Sequence, residues 1–294
     1  MLKIIFLGTG SFMPTKLRGA PAILIKSPKS TILLDCGEGT QNRIINIGIG
    51  IQKIDLIAIT HMHGDHVFGL LPLLHTLSNI SQTPKLRIMG PKTLKDFIEE
   101  NIKLTLIKNI DIEFTRPSNE LCLSDLRIKG FEVDHGMESY GYIIEFAKAE
   151  KKLKVNELIK AGIPRRYWPQ IKRGKKVTID GKTFDPSDFV EIRNRKIVYS
   201  GDTKPIANTI RAAYNAKVLI HEATFTSRLK NEAEISNHST ALDAAKIALE
   251  ANAEVLILTH ISARYPDPYE HLYESRRVFR NTFVAEDYDY YIVM

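Results

Sequence analysis

The chain has 294 residues, 44% of them hydrophobic and 26% charged, a globular composition that excludes a disordered chain, a collagen and a coiled coil. Two cysteines, Cys36 and Cys122, exclude a disulfide scaffold and favour a reducing compartment. The N-terminus reads as a strand instead of a signal peptide, and no uncharged run is long enough to span a membrane, so a cytoplasmic protein is expected.

Short runs rich in Ile, Val and Leu predict strands at Lys3–Leu7, Ala22–Lys26, Thr31–Asp35, Asp55–Thr60, Leu86–Met89 and Ile110–Phe114. Further runs follow at Leu126–Val133, Gly141–Phe146, Lys196–Tyr199, Lys217–Ile220, Glu254–Thr259 and Tyr288–Val293. Helical periodicity predicts helices at Thr40–Ile47, Val67–Leu77, Thr93–Leu104, Pro205–Tyr214, Ala241–Ala251 and His271–Arg280. Ser239 or Thr240 suits the cap of the fifth of these. The alternation shows a mixed α/β chain and no more.

The rhythm breaks between Glu145 and Lys196. Residues 148–176 carry eleven Lys/Arg against two Glu, a net of +9, while the rest of the chain sums to −2. One short segment therefore holds the whole basic excess of a chain whose net charge is +7. Such a concentration points to a polyanion partner; a plain surface insertion is the alternative.

The chemistry gathers at strand ends. Thr60-His-Met-His-Gly-Asp-His66 follows the strand Asp55–Thr60 and places three histidines and an aspartate in six residues. Imidazole and carboxylate suit zinc and similar borderline metals. Gly64 is read as permitting the turn that brings Asp65 and His66 back. His135, Asp202 and His260 each follow another apolar strand. Alone each reads as a turn residue; with the first cluster they read as ligands.

These motifs resemble the metallo-β-lactamase superfamily, with Asp35 in LLDCGEG, then His61, His63, Asp65 and His66, then His135, Asp202 and His260 in that family's order. GTGSFMP near the start, DCGEGTQ at Asp35–Gln41, HEAT at His221–Thr224, HST at His238–Thr240 and HISARY at His260–Tyr265 narrow the likeness. The chain is similar to the short-form ribonuclease Z family, the tRNA 3′-processing endonucleases, over its whole length.

The resemblance implies an αββα sandwich, two mixed β-sheets flanked by helices, with a protruding basic arm. It implies one domain over 1–294, with an inserted tRNA-binding arm at 148–190. It implies two zinc ions per subunit, with manganese a possible substitute: one on His61, His63 and His135, a second on Asp65, His66 and His260, and Asp202 bridging. Asp35 would orient a histidine ligand. Two ions about 3.5–4 Å apart can clamp a phosphodiester and activate a water. Asp65 would be the general base, with a purely ligating role as its competing reading. His238 would protonate the leaving 3′-oxygen, kept charged by Glu222; by sequence alone His238 could cap a helix and Glu222 could edge the core. His221 is read as structural.

Arg264 would hold a phosphate, a surface salt bridge being the alternative. Lys16 and Arg18 suit contacts near the site, and Arg165, Arg166, Lys172 and Arg173 would hold tRNA phosphates on the arm. Tyr167 and Trp168 would stack on RNA or anchor the arm. Two departures stand out. Pro14-Thr-Lys16-Leu-Arg18-Gly19 has Gly where many members have Asn, which puts the response to an encoded CCA end in doubt. Ile163-Pro164 leads into Arg-Arg-Tyr-Trp-Pro, which alters the arm's tip. A precursor tRNA and a second copy of the chain are the expected partners, with Phe68 and Leu71 in the interface; no DNA and no membrane are expected. The alternatives are a small-molecule or cyclic-nucleotide phosphodiesterase, a metal-stabilised RNA-binding protein without turnover, and a diiron redox protein.

Overall fold

The structure, a computed structural model, describes residues 2–80, 85–148, 150–193 and 195–293. Residue 149, inside the expected arm, lies outside the described residues. Contacts divide the chain into two compact units, Met1–Glu145 with Arg195–Met294, and Phe146–Asn194.

In the first unit, β1 (Leu2–Gly8), β2 (Ala22–Lys26), β3 (Thr31–Leu34), β4 (Leu56–Ala58), β5 (Leu86–Met89) and β6 (Ile112–Thr115) run in spatial sequence across one sheet. A second sheet begins with β7 (Leu121–Cys122), β8 (Leu126–Glu132) and β9 (Tyr140–Phe146). The other unit contributes β10 (Glu150–Leu153), β11 (Val177–Ile179), β12 (Lys182–Phe184) and β13 (Val190–Arg193). The second sheet resumes with β14 (Ile197–Tyr199), β15 (Val218–Glu222), β16 (Leu256–Thr259) and β17 (Thr282–Val284). Finally β18 (Tyr290–Val293) returns to pair with β1.

Both sheets are mixed. In the first, β18, β1, β2 and β3 pair antiparallel and β3 to β6 pair parallel. In the second, β9 lies antiparallel to β14, and β14 to β17 run parallel. Parallel strands end on one side, so the residues that follow them share one edge. That rule gathers the site.

Helices cover both sheets. α1 (Thr40–Asn46), α2 (Gly64–Val67), α3 (Leu70–Ser78) and α4 (Lys92–Leu104) belong to the first half. There Leu70, Leu73, Leu74, Leu94 and Ile98 pack against Leu24, Leu33, Ile57 and Ile88 of the sheet. In the other unit lie α5 (Val155–Lys160), α6 (Trp168–Lys172) and α7 (Pro186–Phe189). The second half has α8 (Ala207–Ala213), α9 (Lys230–Ile235), α10 (Ala241–Glu250) and α11 (Tyr269–Arg276). Its core is alanine-rich: Ala241, Ala244, Ala245 and Ala248 set α10 close against Leu219, Leu256 and Leu258. Thr240 caps α10 in a reciprocal box with Asp243.

The helix expected over Val67–Leu77 is divided. Pro72 has no N–H to give the Phe68 carbonyl. The loop before α1 also intrudes at Gly69, whose N–H donates to the Cys36 carbonyl at 2.9 Å. A Cβ at Gly69 would lie 1.9 Å from the Gly37 carbonyl oxygen.

The Phe146–Asn194 unit is folded, where the sequence showed only a broken rhythm. β10 pairs with β13 and β11 with β12. Leu158, Ile163, Ile171, Val177 and Phe189 form its own core, with Trp168 packed against them. The Trp168 indole N–H donates to the Ile163 carbonyl at 2.9 Å. That supports the anchoring role for Trp168, since its polar edge is already spent.

Candidate metal centre and active site

The His61–His66 segment leaves β4 and enters α2. Gly64 starts that helix, and the Phe68 ring lies close over it. A Cβ would lie 2.3 Å from the ring. Gly64 has no left-handed backbone, so the turn does not need the conformational freedom that the sequence reading gave it. His135 follows β8, Asp202 follows β14, Glu222 ends β15 and His260 follows β16. Tyr142 on β9 donates its hydroxyl to the Ile59 carbonyl at 2.6 Å, tying the two sheets together beside the site.

The ligand atoms converge. His63 Nδ1 lies 3.0 Å from His61 Nε2 and 3.2 Å from His135 Nε2. Asp65 Oδ2 lies 3.6 Å from His66 Nε2 and 3.5 Å from His260 Nε2. Asp202 Oδ2 stands between the two groups, 3.8 Å from His61 Nε2, 3.9 Å from His135 Nε2, 3.3 Å from His66 Nε2 and 3.2 Å from His260 Nε2. Donors about 2.0–2.1 Å from one tetrahedral ion lie about 3.3 Å from each other, so these separations suit metal coordination.

Burial sharpens the fit. His66 Nε2, His260 Nε2 and Asp202 Oδ1 are buried atoms with no hydrogen-bond partner. Such orphans are costly unless a cation takes them. The far nitrogen of four of these imidazoles is held in turn. His66 Nδ1 meets Asp35 at 2.9 Å, His135 Nδ1 the Asn237 carbonyl at 2.8 Å, His61 Nδ1 the Thr60 hydroxyl at 2.9 Å and His260 Nδ1 the Thr224 hydroxyl at 2.8 Å. A proton on Nδ1 leaves the Nε2 lone pair for a metal.

Asp35 makes the histidine contact that its expected role requires, and further contacts besides. Its carboxylate also accepts from the Thr60 N–H at 2.8 Å and the Tyr199 hydroxyl at 2.9 Å. Burial and the charge of Asp35 push the Tyr199 phenol well above its usual pKa, so it stays a donor. Burial, then the charge of His66, pushes His61 well below its usual pKa. His66 moves the other way: burial opposes its charge, but Asp202 and Asp35 outweigh burial and raise it. A positive charge is wanted where His66 faces Asp202.

Glu222 joins His238 to Thr224, which in turn meets His260. Its Oε1 meets His238 Nδ1 at 2.8 Å and accepts the Thr203 N–H at 2.9 Å; its Oε2 accepts the Thr224 hydroxyl at 2.8 Å. Burial works against a charged His238, but the charge and hydrogen bond of Glu222 raise its pKa to about 9. Asp65 shows the same contest. Burial opposes ionisation, and the close approach and charge of His260, with the charge of His66, hold its carboxyl well below the usual range. His63, Asp65, His135, Asp202, His238 and His260 share a cavity of about 720 Å³.

Arg264 lines the same cavity, its guanidinium 5.7 Å from the centre of the Phe225 ring. Lys16 is exposed. Arg18 corrects the sequence reading. It is buried, and its guanidinium donates to the Thr9 hydroxyl at 2.7 Å and the Ala285 carbonyl at 2.6 Å. It braces the chain from inside and is not presented to a phosphate. Arg165, Arg166, Lys172 and Arg173 are exposed on the Phe146–Asn194 unit. His221 is buried and bonded to the Glu222 carbonyl at 2.7 Å, away from the ligand atoms.

The family model described as Anti-Pycsar protein Apyc1 matches residues 2–149, and that described as Beta-lactamase superfamily domain matches residues 187–261. The first stops short of Asp202, Glu222, His238 and His260. The relatives span the whole chain: Ribonuclease Z of Sulfurisphaera tokodaii is 41% identical over 100% of this chain and 99% of its own. The chain belongs to the ribonuclease Z family. The crystal structure of the short form of human tRNase Z superposes with a TM-score of 0.72 at 26% identity, covering 99% of both chains. A metallo-β-lactamase fold protein of Bacillus subtilis, YhfI, has a TM-score of 0.73 at 20% identity over 99% of this chain and 100% of its own, a likeness of fold alone. The fold is thus the metallo-β-lactamase sandwich expected from the sequence. Among the described residues of this ribonuclease Z chain, no helix is long and apolar enough to cross a membrane.

The sequence missed Thr60, Tyr199, Thr224 and Asn237. Thr224 had a signal as the last residue of HEAT, and Thr60 as the residue that opens the Thr60–His66 cluster. The others act through a hydroxyl or a carbonyl that becomes specific only when the sheets meet.

Proposed function

We infer that this chain is a metal-dependent endoribonuclease that cuts precursor tRNA at its 3′ end, leaving a 3′-hydroxyl on the tRNA and a 5′-phosphate on the trailer. The observation that carries this reading is one cavity holding both a two-centre ligand set and an acid, His238, charged by Glu222. His61, His63 and His135 would hold one ion, Asp65, His66 and His260 a second, and Asp202 both; zinc fits these donors best, with manganese as a substitute. Bound there, the ions would lower the pKa of a water and neutralise charge developing on the phosphate.

The chain's own groups do the rest. Asp65 orients the attacking water and takes its proton. The water oxygen forms its bond to phosphorus as the bond to the 3′-oxygen breaks. His238 gives that oxygen a proton from Nε2, its Nδ1 being spent on Glu222. Arg264 holds a phosphate beside the site.

The Phe146–Asn194 unit is the tRNA-binding arm in this reading, and Arg165, Arg166, Lys172 and Arg173 supply phosphate contacts that carry no sequence information. The active species is a homodimer through the α2–α3 face, where Phe68 is 64% exposed. Charged residues at Phe68 and Leu71 should yield monomers by light scattering; an unchanged mass rejects that interface.

The deciding experiment incubates the protein with a trailer-bearing precursor tRNA and zinc or manganese, beside Asp65→Ala. One cut at the end of the acceptor stem, about 10⁴-fold slower in the variant, is expected. Hydrolysis of cyclic nucleotides with no RNA cut would overturn the reading.

A further inference from the structure

One exposed ring at the cavity mouth has no structural employment. Phe12 is 83% exposed and lines the cavity with Asp65 and His238. Its φ is +36°, a left-handed backbone that a bulky side chain rarely adopts. The strain is held from below. Asp287 accepts the Thr9 N–H at 2.9 Å and the Gly19 N–H at 2.7 Å, and pairs with Arg43, closing the base of the loop. At the tip, the Phe12 N–H donates to Asp65 Oδ2 at 2.9 Å. A strained, solvent-exposed aromatic fixed to the catalytic carboxylate is a device for a ligand, since packing gains nothing from it.

The ligand follows from the reaction, so this inference rests on the nuclease reading. In an in-line displacement the water and the leaving 3′-oxygen lie on opposite sides of phosphorus. The leaving oxygen, with the last tRNA nucleotide, faces His238. Phe225 and Arg264 flank that side, the Phe225 ring centre 6.2 Å from that of His238. Phe12 is bonded to Asp65, the group that serves the water in this reading, and the trailer nucleotide is the one that stays on phosphorus with that water. We propose that Phe12 stacks on the base of the first trailer nucleotide and so helps choose which phosphate enters the site. Unpaired bases near a cut are free to stack on an aromatic face, whatever their identity.

The test is a cycle of protein and RNA changes. Wild type, Phe12→Leu and Phe12→Tyr would each cleave precursors carrying either a base or an abasic site at the first trailer position. Control precursors would carry the abasic site at the last tRNA nucleotide. Wild type should lose about tenfold in kcat/KM with the abasic trailer, mostly through KM. Phe12→Leu should cut the intact precursor about tenfold less efficiently and be indifferent to the abasic trailer, while Phe12→Tyr restores the wild-type pattern. The Phe12→Leu melting temperature should equal that of wild type, since the ring is exposed. An abasic trailer that costs wild type and Phe12→Leu equally overturns the stacking. A wild type that cuts no precursor at all overturns the nuclease reading itself.

Discussion

The metal centre and the Phe146–Asn194 unit handle charge in opposite ways. At the centre most of the charged and imidazole side chains are buried and steadied by a second group: Asp35 by Thr60 and Tyr199, His260 by Thr224, His238 by Glu222. On the other unit the cations are exposed around a small apolar core, and Arg166 and Arg165 lie over Tyr167 and Trp168 rings of their own segment. Buried networks make each member costly to remove, because its partner is left unsatisfied. Exposed charges act as a sum, each one weak and screened by salt. In the proposed function, chemistry would use the first arrangement and backbone recognition the second.

The sharpest way to test that contrast is at the acid. His238→Ala should lower kcat about 10³-fold with little change in KM, measured by single-turnover cleavage. The Glu222 charge raises the His238 pKa to about 9, so the protonated acid is present below that pH and the rate should fall as pH rises through it. Glu222→Gln removes the raising charge and should move this alkaline limb to lower pH. A limb that stays in place would separate the acid from Glu222.

A smaller effect is expected one layer out. Tyr199→Phe removes one donor from Asp35 and leaves a buried carboxylate short of a partner. Zinc affinity should weaken about tenfold in a competition titration, with kcat near wild type at saturating metal. An unchanged affinity would show that Thr60 and His66 suffice to hold Asp35.

The smallest change per residue is expected on the Phe146–Asn194 unit. Replacing Arg165, Arg166, Lys172 and Arg173 together by alanine should raise KM for precursor tRNA about tenfold. It should flatten the salt dependence by about 0.9 in log–log slope for each phosphate that is no longer neutralised. Hydrolysis of a small chromogenic phosphodiester should not change. Equal loss on both substrates would mean that the unit supports the fold instead of the RNA.

Residue order alone was enough to locate the strands, the ligand order and the basic segment. All twelve expected strands form; most are short runs of Ile, Val and Leu buried on both faces, which admit few alternatives. The ligands could be read because each stands directly after such a strand, where parallel pairing gathers strand ends on one edge. Packing in three dimensions set the rest. It turned Arg18 from an expected phosphate contact into an internal brace, because β1 and the 285–287 segment close over it. It broke the Val67–Leu77 helix where the Gly37 backbone needs the room. It chose Tyr199 and Thr224 as partners of the site, and it placed Phe12 against Asp65 across 53 residues of chain. Such pairings depend on sub-ångström placement between elements far apart in sequence, and no local pattern of residue types encodes that.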